Sequence, residues 1–387
     1  MPDLFSDPAP PTNGSAAEPA GDAERRALVA LSLVPGVGAG RARALVAVFG
    51  TAEAVLAAPP GRLVRVDGVG WATAEAVRAG AEQGAMDDQF ARADRVGARL
   101  VAFGDDEYPA RLREIYDPPP FLWVLGRLRP EDGRAVAVVG TRKASDYGRR
   151  VAEAFAAGLA EGGATVVSGL AYGIDVAAHR AALATGGRTV AVLGSGVDHV
   201  YPSRHAPVVR EIVERDLGAV VSELPMGAKP DAPHFPRRNR IVSGMSVAVV
   251  VAEARATGGA LLTASIALEQ NRDVFAAPAP VFSDYEGTNR LVQRGWAALA
   301  LDAADVLAAV DPVAPPAAAA APEPAAPPAD LSAVERRLMD ALGPEPRPLD
   351  AVCAASGVDT SQALVYLLQL EFRGLVRQLA GKQFYRA

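Results

Sequence analysis

Four segments rich in glycine and hydroxyl side chains could bind an anion through bare backbone amides. They are residues 140–143, 168–175, 194–198 and 256–263. Glycine lets amides and helix N-termini approach a phosphate closely, and Ser168 and Thr263 add hydroxyl donors. Each segment follows a predicted strand, and the ends of parallel strands meet at one sheet edge, so we expect a phosphate-binding pocket there. Its candidate residues are Arg142, Lys143, Ser168, Gly169, Gly173, Gly258, Gly259 and Thr263.

A second candidate element is the string Pro-His-Phe-Pro-Arg-Arg-Asn-Arg at residues 233–240. An aromatic ring between two prolines, followed by guanidiniums and an amide, combines a stacking surface with phosphate-binding groups, as unpaired nucleic acid requires. We expect a loop in which Phe235 stacks on a base, Arg237 or Arg240 holds the backbone, and Asn239 adds an amide. The alternative places Phe235 in the core and the arginines on a solvated face.

Nucleotide, metal and thiol chemistry are not predicted. No G-x-x-x-x-G-K-[ST] occurs, and Gly194-x-Gly196 lacks the third glycine of a dinucleotide motif, which argues against an NTPase or an NAD enzyme. Asp175 and His179 have a spacing that two metal ligands could use, but no third ligand follows, so we expect neither a metal nor another cofactor. The single cysteine excludes an intrachain disulfide and fits a reducing compartment.

Short apolar runs alternating with helical stretches must position these loops. The runs are residues 135–139, 165–168, 189–193, 219–222, 247–251 and 274–277. Continuous apolar strands separated by helices are typical of a sheet covered on both faces. The sequence predicts an α/β fold, a Rossmann-like, doubly wound and mostly parallel sheet.

Two smaller domains flank this sheet. Two units, 33–49 and 66–79, each combine a Gly-x-Gly turn with a following helix, which predicts a helix-hairpin-helix (SAM-like) domain. A helical packing domain without nucleic-acid contact is the alternative. Three helices and a hairpin after residue 330 predict a winged helix, whose helix at 359–373 exposes hardly any positive charge, so we expect protein contact or weak DNA binding.

Composition sets the domain boundaries of the 387-residue chain. We expect a disordered tail (1–23), a helical domain (24–85), a connecting segment (86–133), the Rossmann-like domain (134–311), a Pro/Ala linker (312–329) and the winged helix (330–387). The net charge is −6, but residues 134–300 carry 18 basic and 15 acidic side chains and are the net-positive part. No signal peptide or membrane span is predicted, which fits a cytoplasmic protein.

Six strings resemble the DNA-processing protein A (DprA/Smf) family in order and spacing. They are V-G-T-R (139–142), S-G-L-A-Y-G-I-D-V-A-A-H (168–179), G-S-G-V-D-H-V-Y-P (194–202), S-E-L-P (222–225), H-F-P-R-R-N-R-I-V-S-G (234–244) and G-G-A-L-L-T-A (258–264). The resemblance implies a recombination mediator that binds single-stranded DNA, protects incoming DNA and loads a RecA-type recombinase during natural transformation. It also implies a homodimer formed through the Rossmann-like domain, and no catalysis.

Carried over by motif, the resemblance gives a DNA pocket lined by Arg142, Ser168, Gly169, Phe235, Arg237, Asn239, Arg240, Gly258 and Gly259. The chain departs from the family pattern at Thr257-Gly258-Gly259, where S-G-[ST] is usual, and at Pro278-Ala279, where Pro-Gly is usual. The second departure affects the edge of the pocket.

Two other functions stay open at this point. The fold is similar to that of the lysine-decarboxylase-like phosphoribohydrolases, which cleave nucleoside monophosphates with carboxylates just after a P-G-G-x-G-T loop. Here Ala264 and Ser265 follow Thr263, so that general acid/base is missing. A transcription regulator acting through the winged helix is the third possibility, and the acidic surroundings of that domain argue against tight duplex binding.

Overall fold

The computed structural model describes residues 20–80, 83–310, 331–343, 347–373, 375–379 and 383–386. The chain divides into two compact units, with the boundary between Pro312 and Val313. Residues 1–19 of the expected tail and the whole of the expected linker, 312–329, lie outside the described residues.

The first unit begins with helices that form two hairpins. They are α1 (Asp22–Leu33), α2 (Ala39–Phe49), α3 (Ala52–Ala57), α4 (Pro60–Leu63), α5 (Trp71–Ala79) and α6 (Gln83–Val96). The turns before α2 and α5 contain Gly36 at φ +82° and Gly68 at φ +75°, backbone conformations that favour glycine. The predicted helix-hairpin-helix pair is confirmed.

Nine strands among the described residues form the sheet of this unit, in the order β1-β2-β6-β5-β4-β3-β7-β8-β9. They are β1 (Ala98–Ala102), β2 (Phe121–Gly126), β3 (Ala135–Gly140), β4 (Thr165–Ser168), β5 (Thr189–Val192), β6 (Gly218–Ser222), β7 (Ala248–Glu253), β8 (Asp273–Ala276) and β9 (Ala298–Leu299). Strands β3 to β9 pair in parallel, while β2 is antiparallel to both β1 and β6. The mostly parallel, doubly wound sheet is confirmed, and its six predicted strands are β3 to β8.

Helices cover both faces of the sheet. They are α7 (Ala110–Arg113), α8 (Asp146–Glu161), α9 (Ile174–Ala184), α10 (Ala206–Glu214), α11 (His234–Gly244), α12 (Gly259–Glu269), α13 (Gly287–Gln293) and α14 (Ala303–Val310). Helices α8, α9 and α14 pack on one face through residues such as Phe155 and Val306. Helices α11 and α12 pack on the other through residues such as Ile241 and Ala264.

Residues 86–133, expected to be a connecting segment, belong partly to the sheet. Strands β1 and β2 extend it beyond β6, and their side chains Phe121 and Trp123 are buried in one hydrophobic cluster with Leu31 and Leu45 of the helical hairpins. The Trp123 ring also lies 5.6 Å, centroid to centroid, from Phe90 of α6. The segment therefore joins the hairpins and the sheet through a shared core.

The chain reverses its direction across the sheet between β3 and β7. From β3 it passes through β4 and β5 to β6, and it then returns to the other side of β3 to add β7, β8 and β9. Ligands of open α/β sheets bind in the crevice that such a reversal leaves at the carboxyl ends of the strands. The segments after β3 and β7 are therefore expected to border a binding cleft.

The second unit is a small α/β domain. Its elements are α15 (Ala333–Ala341), β10 (Arg347–Pro348), α16 (Leu349–Ser356), α17 (Thr360–Phe372), β11 (Val376–Leu379) and β12 (Gln383–Arg386). The three strands form a sheet in the order β10-β12-β11, and Leu338, Leu367 and Phe384 lie in its core. Three helices followed by a β-hairpin confirm the predicted winged helix. Residues 380–382 lie outside the described residues.

Among the described residues, no single helix is long and apolar enough to cross a membrane. One pair, Leu349–Ser356 with Thr360–Glu371, passes a test of length and composition when taken together, and its two helices are bent by 102°.

Candidate functional site

A cleft of about 750 Å³ opens at the carboxyl edge of the sheet, where the chain reverses between β3 and β7. Its walls come from the segments that follow β3, β4 and β7, and from helices α11 and α12. The lining residues that carry the argument below are Arg142, Gly169, Asp175, Tyr201, Phe235, Arg238, Asn239, Arg255, Gly258, Gly259 and Thr263. Three of the four predicted glycine-rich segments therefore meet in one place.

The segment after β3 presents Arg142 to the cleft from a fixed backbone. The N–H of Thr141 donates to the carbonyl of Glu253 at 2.9 Å, and the carbonyl of Thr141 accepts from Ile174 at 3.3 Å. The Ser145 N–H donates to the Glu253 carboxylate at 2.9 Å. Because both ends of this loop are held by the neighbouring strand and helix, the exposed Arg142 guanidinium can move while its backbone stays in place.

The segment expected to be a loop around Phe235 is the first half of helix α11. Pro236 is the third residue of that helix, where its missing N–H costs no helical hydrogen bond. The helical turn brings Phe235, Arg238 and Asn239 to the cleft side. The expected aromatic and amide groups are thus present, but on a helix.

The half-buried ring of Phe235 lies between two other cleft side chains. The Arg142 guanidinium carbon lies 4.8 Å from the ring centroid, and the Tyr201 ring lies 5.9 Å away at 50°. The ring also touches Gly194, where an added Cβ would lie 3.0 Å from it. A planar ligand stacking on Phe235 would replace Arg142 on the ring, which frees that guanidinium for an anion.

Arg238 is a functional candidate that the sequence interpretation missed. It is 5% exposed, its Nη1 donates to the Val192 carbonyl at 2.9 Å, and its Nε has no hydrogen-bond partner in the described part of the chain. Burial lowers the pKa of its guanidinium to about 10, although the neighbouring Asp175 opposes that shift. It remains a cation at neutral pH.

Asp175 lies at the start of α9, and its carboxylate accepts from the Ala171 N–H at 3.3 Å. Burial raises the pKa of this carboxyl, and the nearby Arg238 limits the rise. Gly169 leaves room for the Arg238 side chain, because a Cβ at this position would lie 1.5 Å from Nη1 of Arg238. Glycine is therefore required at 169 to admit the buried arginine.

Helix α12 points its N-terminus at the cleft. Gly258 and Gly259 have no atom within 4 Å of an added Cβ, so the space beside their backbone is open to a ligand. Thr263 also lines the cleft, but its hydroxyl donates to the Gly259 carbonyl at 3.1 Å. That hydroxyl is engaged within its own helix rather than offered to a ligand.

The structure corrects the role expected for Arg240. It is buried and donates to both carboxylate oxygens of Glu223, at 2.9 and 2.7 Å, and to Asp117 at 2.8 Å. These pairs occupy it on the side of α11 away from the cleft. Arg237 lies on that same side, with its Nε 3.6 Å from Glu223, and is not among the cleft-lining residues.

Three other predicted residues stand outside the cleft. The Ser168 hydroxyl is buried and donates to the Val138 carbonyl at 2.7 Å, so it joins neighbouring strands. Gly173, at φ +76°, allows a close approach to the Thr141 carbonyl and starts α9. Lys143 is exposed beyond the cleft lining, and its carbonyl accepts from the Tyr285 hydroxyl at 2.8 Å.

The fourth glycine-rich segment, 194–198, does not line the cleft. It packs behind it, where Gly196 approaches the backbone of Pro225 and Gly227. The departure at Pro278-Ala279 also lies away from the lining, and Asn289 holds the Ala279 backbone through two hydrogen bonds of 2.9 Å.

His179 has a partner inside the fold. Its Nδ1 lies 2.7 Å from the Thr189 hydroxyl, which in turn donates to the Val166 carbonyl, so Nδ1 carries the proton. Burial lowers the pKa of His179 to about 3. Within the residues described, no group of three His, Cys, Asp or Glu side chains is placed to hold a metal ion.

The cleft has the chemistry of a site for a polyanion that carries flat rings. Its lining includes three arginines, Arg142, Arg238 and Arg255, and two acidic residues, Asp175 and Asp231. Open backbone at the start of α12 adds donors to the same space, and Phe235 and Tyr201 add aromatic surface. Charged donors beside an aromatic platform suit phosphates and bases that follow one another along a strand.

Sequence comparisons match each of the three domains to a known family. The sequence model of DNA recombination-mediator protein A matches residues 99–311, that of the DprA winged helix domain matches 322–382, and that of the SAM-like helix-hairpin-helix tandem matches 29–83. The chain is 36% identical over 315 residues to protein Smf of Synechocystis sp., covering 73% of this chain and 78% of that protein. It is 44% identical over 205 residues to DNA processing protein DprA of Streptococcus pneumoniae, covering 53% and 71%.

Solved structures are similar as well. The X-ray structure of DNA processing protein A from Streptococcus pneumoniae has a TM-score of 0.65 at 33% identity and covers 73% of this chain and 97% of that one. The protein from Helicobacter pylori, studied for its single-stranded DNA binding mode, has a TM-score of 0.50 at 27% identity and covers 55% and 95%. With its three domains matched in order, this chain belongs to the DNA recombination-mediator protein A (DprA/Smf) family.

Proposed function

We propose that this protein binds single-stranded DNA in the cleft without reading its sequence. The observation that carries the proposal is the meeting of Phe235 with Arg142, Arg238 and the open start of α12 in one cleft. Stacking tolerates every base, and phosphate contacts carry no sequence information. The single-stranded DNA binding mode described for the Helicobacter pylori protein supports it.

Binding of the full chain to single- and double-stranded oligonucleotides across a salt series tests this proposal. We expect a preference for single strands and an affinity that falls as salt rises, because bound phosphates release counterions. Arg142→Gln should flatten the salt slope by about 0.7 for one lost phosphate contact on a single strand. Arg210→Gln, on the exposed side of α10, is the matched control. Equal affinity for both DNA forms would overturn the proposal.

We further propose that the bound strand is protected and passed to a RecA-type recombinase, as in natural transformation. Membership of a recombination-mediator family supports this role. The test measures recombinase filament assembly on single-stranded DNA with this protein present, absent, or replaced by Arg142→Gln. Faster assembly with the unaltered protein only is expected. An unchanged assembly rate would remove the loading role.

We propose that the protein does this without catalysing a reaction. The two residues after Thr263 are Ala264 and Ser265, and the cleft carboxyl of Asp175 is buried against Arg238 and a backbone N–H. The carboxylate that the phosphoribohydrolases carry just after the threonine is therefore missing here. Incubation with nucleoside monophosphates, followed by chromatography of the free bases, tests the alternative, and release of a base would overturn this proposal.

The proposed homodimer is supported at the β9 edge of the sheet. Among the described residues, β9 is the last strand of the sheet, and Trp296, Leu299 and Leu301 are exposed on or beside it. An exposed sheet edge with apolar side chains favours pairing with another chain. Light scattering after gel filtration should give twice the mass of one chain, and Leu299→Glu should give the mass of one. A monomeric unaltered protein would contradict the proposal.

A further inference from the structure

The outer side of α11 touches the turn of the first helical hairpin. An added Cβ at Gly38 would lie 3.2 Å from Nη2 and 3.5 Å from Nη1 of Arg237, so this guanidinium lies directly on the turn. The opposite side of the same helix carries Phe235 and Asn239 into the cleft. A single helix therefore separates the cleft from the hairpin surface.

Among the described residues, acidic side chains approach the cations at this contact only at long range or not at all. Within the described residues, neither Nη atom of Arg237 has a hydrogen-bond partner, and its carboxylate contact is the 3.6 Å approach of Nε to Glu223. Arg41 donates to two carbonyls, of Gly68 at 2.8 Å and Gly36 at 2.5 Å, which leave its charge unbalanced. Arg43 is exposed and forms no ion pair in the described part of the chain.

The nearby carboxylates are already engaged. Glu223 and Asp117 form short ion pairs with Arg240 at 2.7 and 2.8 Å. The arginine at 237 also lies beside the N-terminus of α2, whose dipole adds positive potential instead of offsetting the guanidinium. Neither carboxylate is therefore left to balance the arginines of this surface, and a bound phosphate would supply that negative charge.

An aromatic ring completes this surface. Tyr116 is 89% exposed, and the guanidinium carbon of Arg43 lies 5.7 Å from its ring centroid. A tyrosine so exposed contributes little to packing, and its free face is available to a base. We call Gly38, Arg41, Arg43, Tyr116 and Arg237 the α2–α11 strip.

The strip and the cleft are close enough for one strand to use both. An α-helix with side chains is about 10–12 Å across. A strand advancing at least ~3.4 Å per nucleotide crosses it in about three to four nucleotides. DNA leaving the cleft past Phe235 would reach Arg237 within that length.

We propose that the α2–α11 strip is a second binding segment for the same DNA strand, holding its phosphates and one base outside the cleft. The inference rests on the proposed function of the cleft and extends it to the helical hairpins. It gives these hairpins a role in binding longer strands, although residues 24–85 lie in the acidic N-terminal part of the chain.

The test is the dependence of affinity on DNA length, using the full chain and fluorescein-labelled oligothymidylates of 3 and 20 nucleotides, since the shorter one cannot occupy the cleft and reach Arg237. The double variant Arg43→Gln/Arg237→Gln should bind the 20-mer about tenfold more weakly and the 3-mer as the unaltered protein does. Its salt slope on the 20-mer should fall by about 1.4, at ~0.7 for each lost contact. The matched control is Arg180→Gln/Arg210→Gln, which removes two exposed charges from α9 and α10.

Tyr116→Ser gives a second, independent variant, since its exposure predicts an unchanged melting temperature. It should weaken the 20-mer alone. If both variants bind the 20-mer normally, or weaken both lengths equally, the strip proposal is overturned while the cleft stands. If the unaltered protein fails to bind either length, or Arg142→Gln binds both normally, the proposed function of the cleft itself fails.

Discussion

Replacing Arg240 tests whether this arginine stabilises the fold or binds DNA. Its side chain is 6% exposed, and that of its partner Glu223 is 7% exposed. In Arg240→Ala, Glu223 keeps a buried charge whose remaining cation is Arg237, 3.6 Å away and 44% exposed. Breaking a buried pair in this way costs about 3–5 kcal/mol. We expect the unfolding free energy to fall by that amount.

Urea unfolding at 25 °C, followed by circular dichroism, measures this loss for the first unit. Arg240→Leu/Glu223→Leu is the control, because removing both charges leaves no buried carboxylate without a partner and should cost less than the single change. The affinity for single-stranded DNA is measured on the same samples at low urea. It should change little in either variant, since α11 presents other residues to the cleft.

The reasoning would be refuted by the opposite pair of results. If Arg240→Ala unfolds like the unaltered protein and loses as much DNA affinity as Arg142→Ala, the ion pairs with Glu223 and Asp117 do not hold Arg240 in solution. The guanidinium would then be a phosphate contact, as the sequence motif alone predicts.

Three further changes test the cleft and the core. Gly169→Ala should lower the melting temperature and the DNA affinity together, because its Cβ would lie 1.5 Å from Arg238. Gly258→Ala is the control, since its Cβ would have no neighbour within 4 Å, and its melting temperature should not change. Melting curves of both variants test this expectation. Phe235→Ala should cost about 1–3 kcal/mol of DNA affinity in a fluorescence titration, and a stability loss of about 3–5 kcal/mol would place the ring in the core instead. The pKa of His179 is about 3 in the folded protein against 6.5 unfolded, so the unfolded state takes up a proton more readily. The free energy of unfolding should therefore fall as the pH drops from 6.5 towards 3, by at most ~1.4 kcal/mol per pH unit. Urea titrations at pH 7 and 5 should show a smaller fall for His179→Asn, and equal falls would contradict this origin.

The sequence predicts the central sheet well because its strands are continuous apolar runs bounded by glycine. Strands β3 to β8 lie within about two residues of their predicted bounds. Strands β1 and β2 were missed, although both are largely apolar, because these antiparallel strands at one end of the sheet lack the alternation with helices that predicts a parallel sheet. Partner choice at a sheet edge is a tertiary property.

The sequence predicts the position of the cleft but not all of the residues that line it. Glycine-rich loops after strands locate it, because strand ends in a parallel sheet share an edge. Pro233 before the helix and Pro236 within it hid the helical state of 234–244. They also hid the periodicity that groups Arg238 with Phe235 and places Arg237 and Arg240 on the other side. Ion pairing with a carboxylate distant in sequence, such as Asp117, leaves no local signal at all.

The shared core of hairpins and sheet limits how this protein can be dissected. A fragment that starts at residue 105 or 134 would uncover Phe121 and Trp123, or lose them together with β1 and β2. Aromatic side chains bury about 150–250 Å² each, which is worth about 4–6 kcal/mol per residue at ~25 cal/mol per Å². We expect such a fragment to expose apolar surface to solvent and to aggregate. We therefore expect the first two domains to be stable only when expressed together, whereas the winged helix is a separate compact unit with its own core.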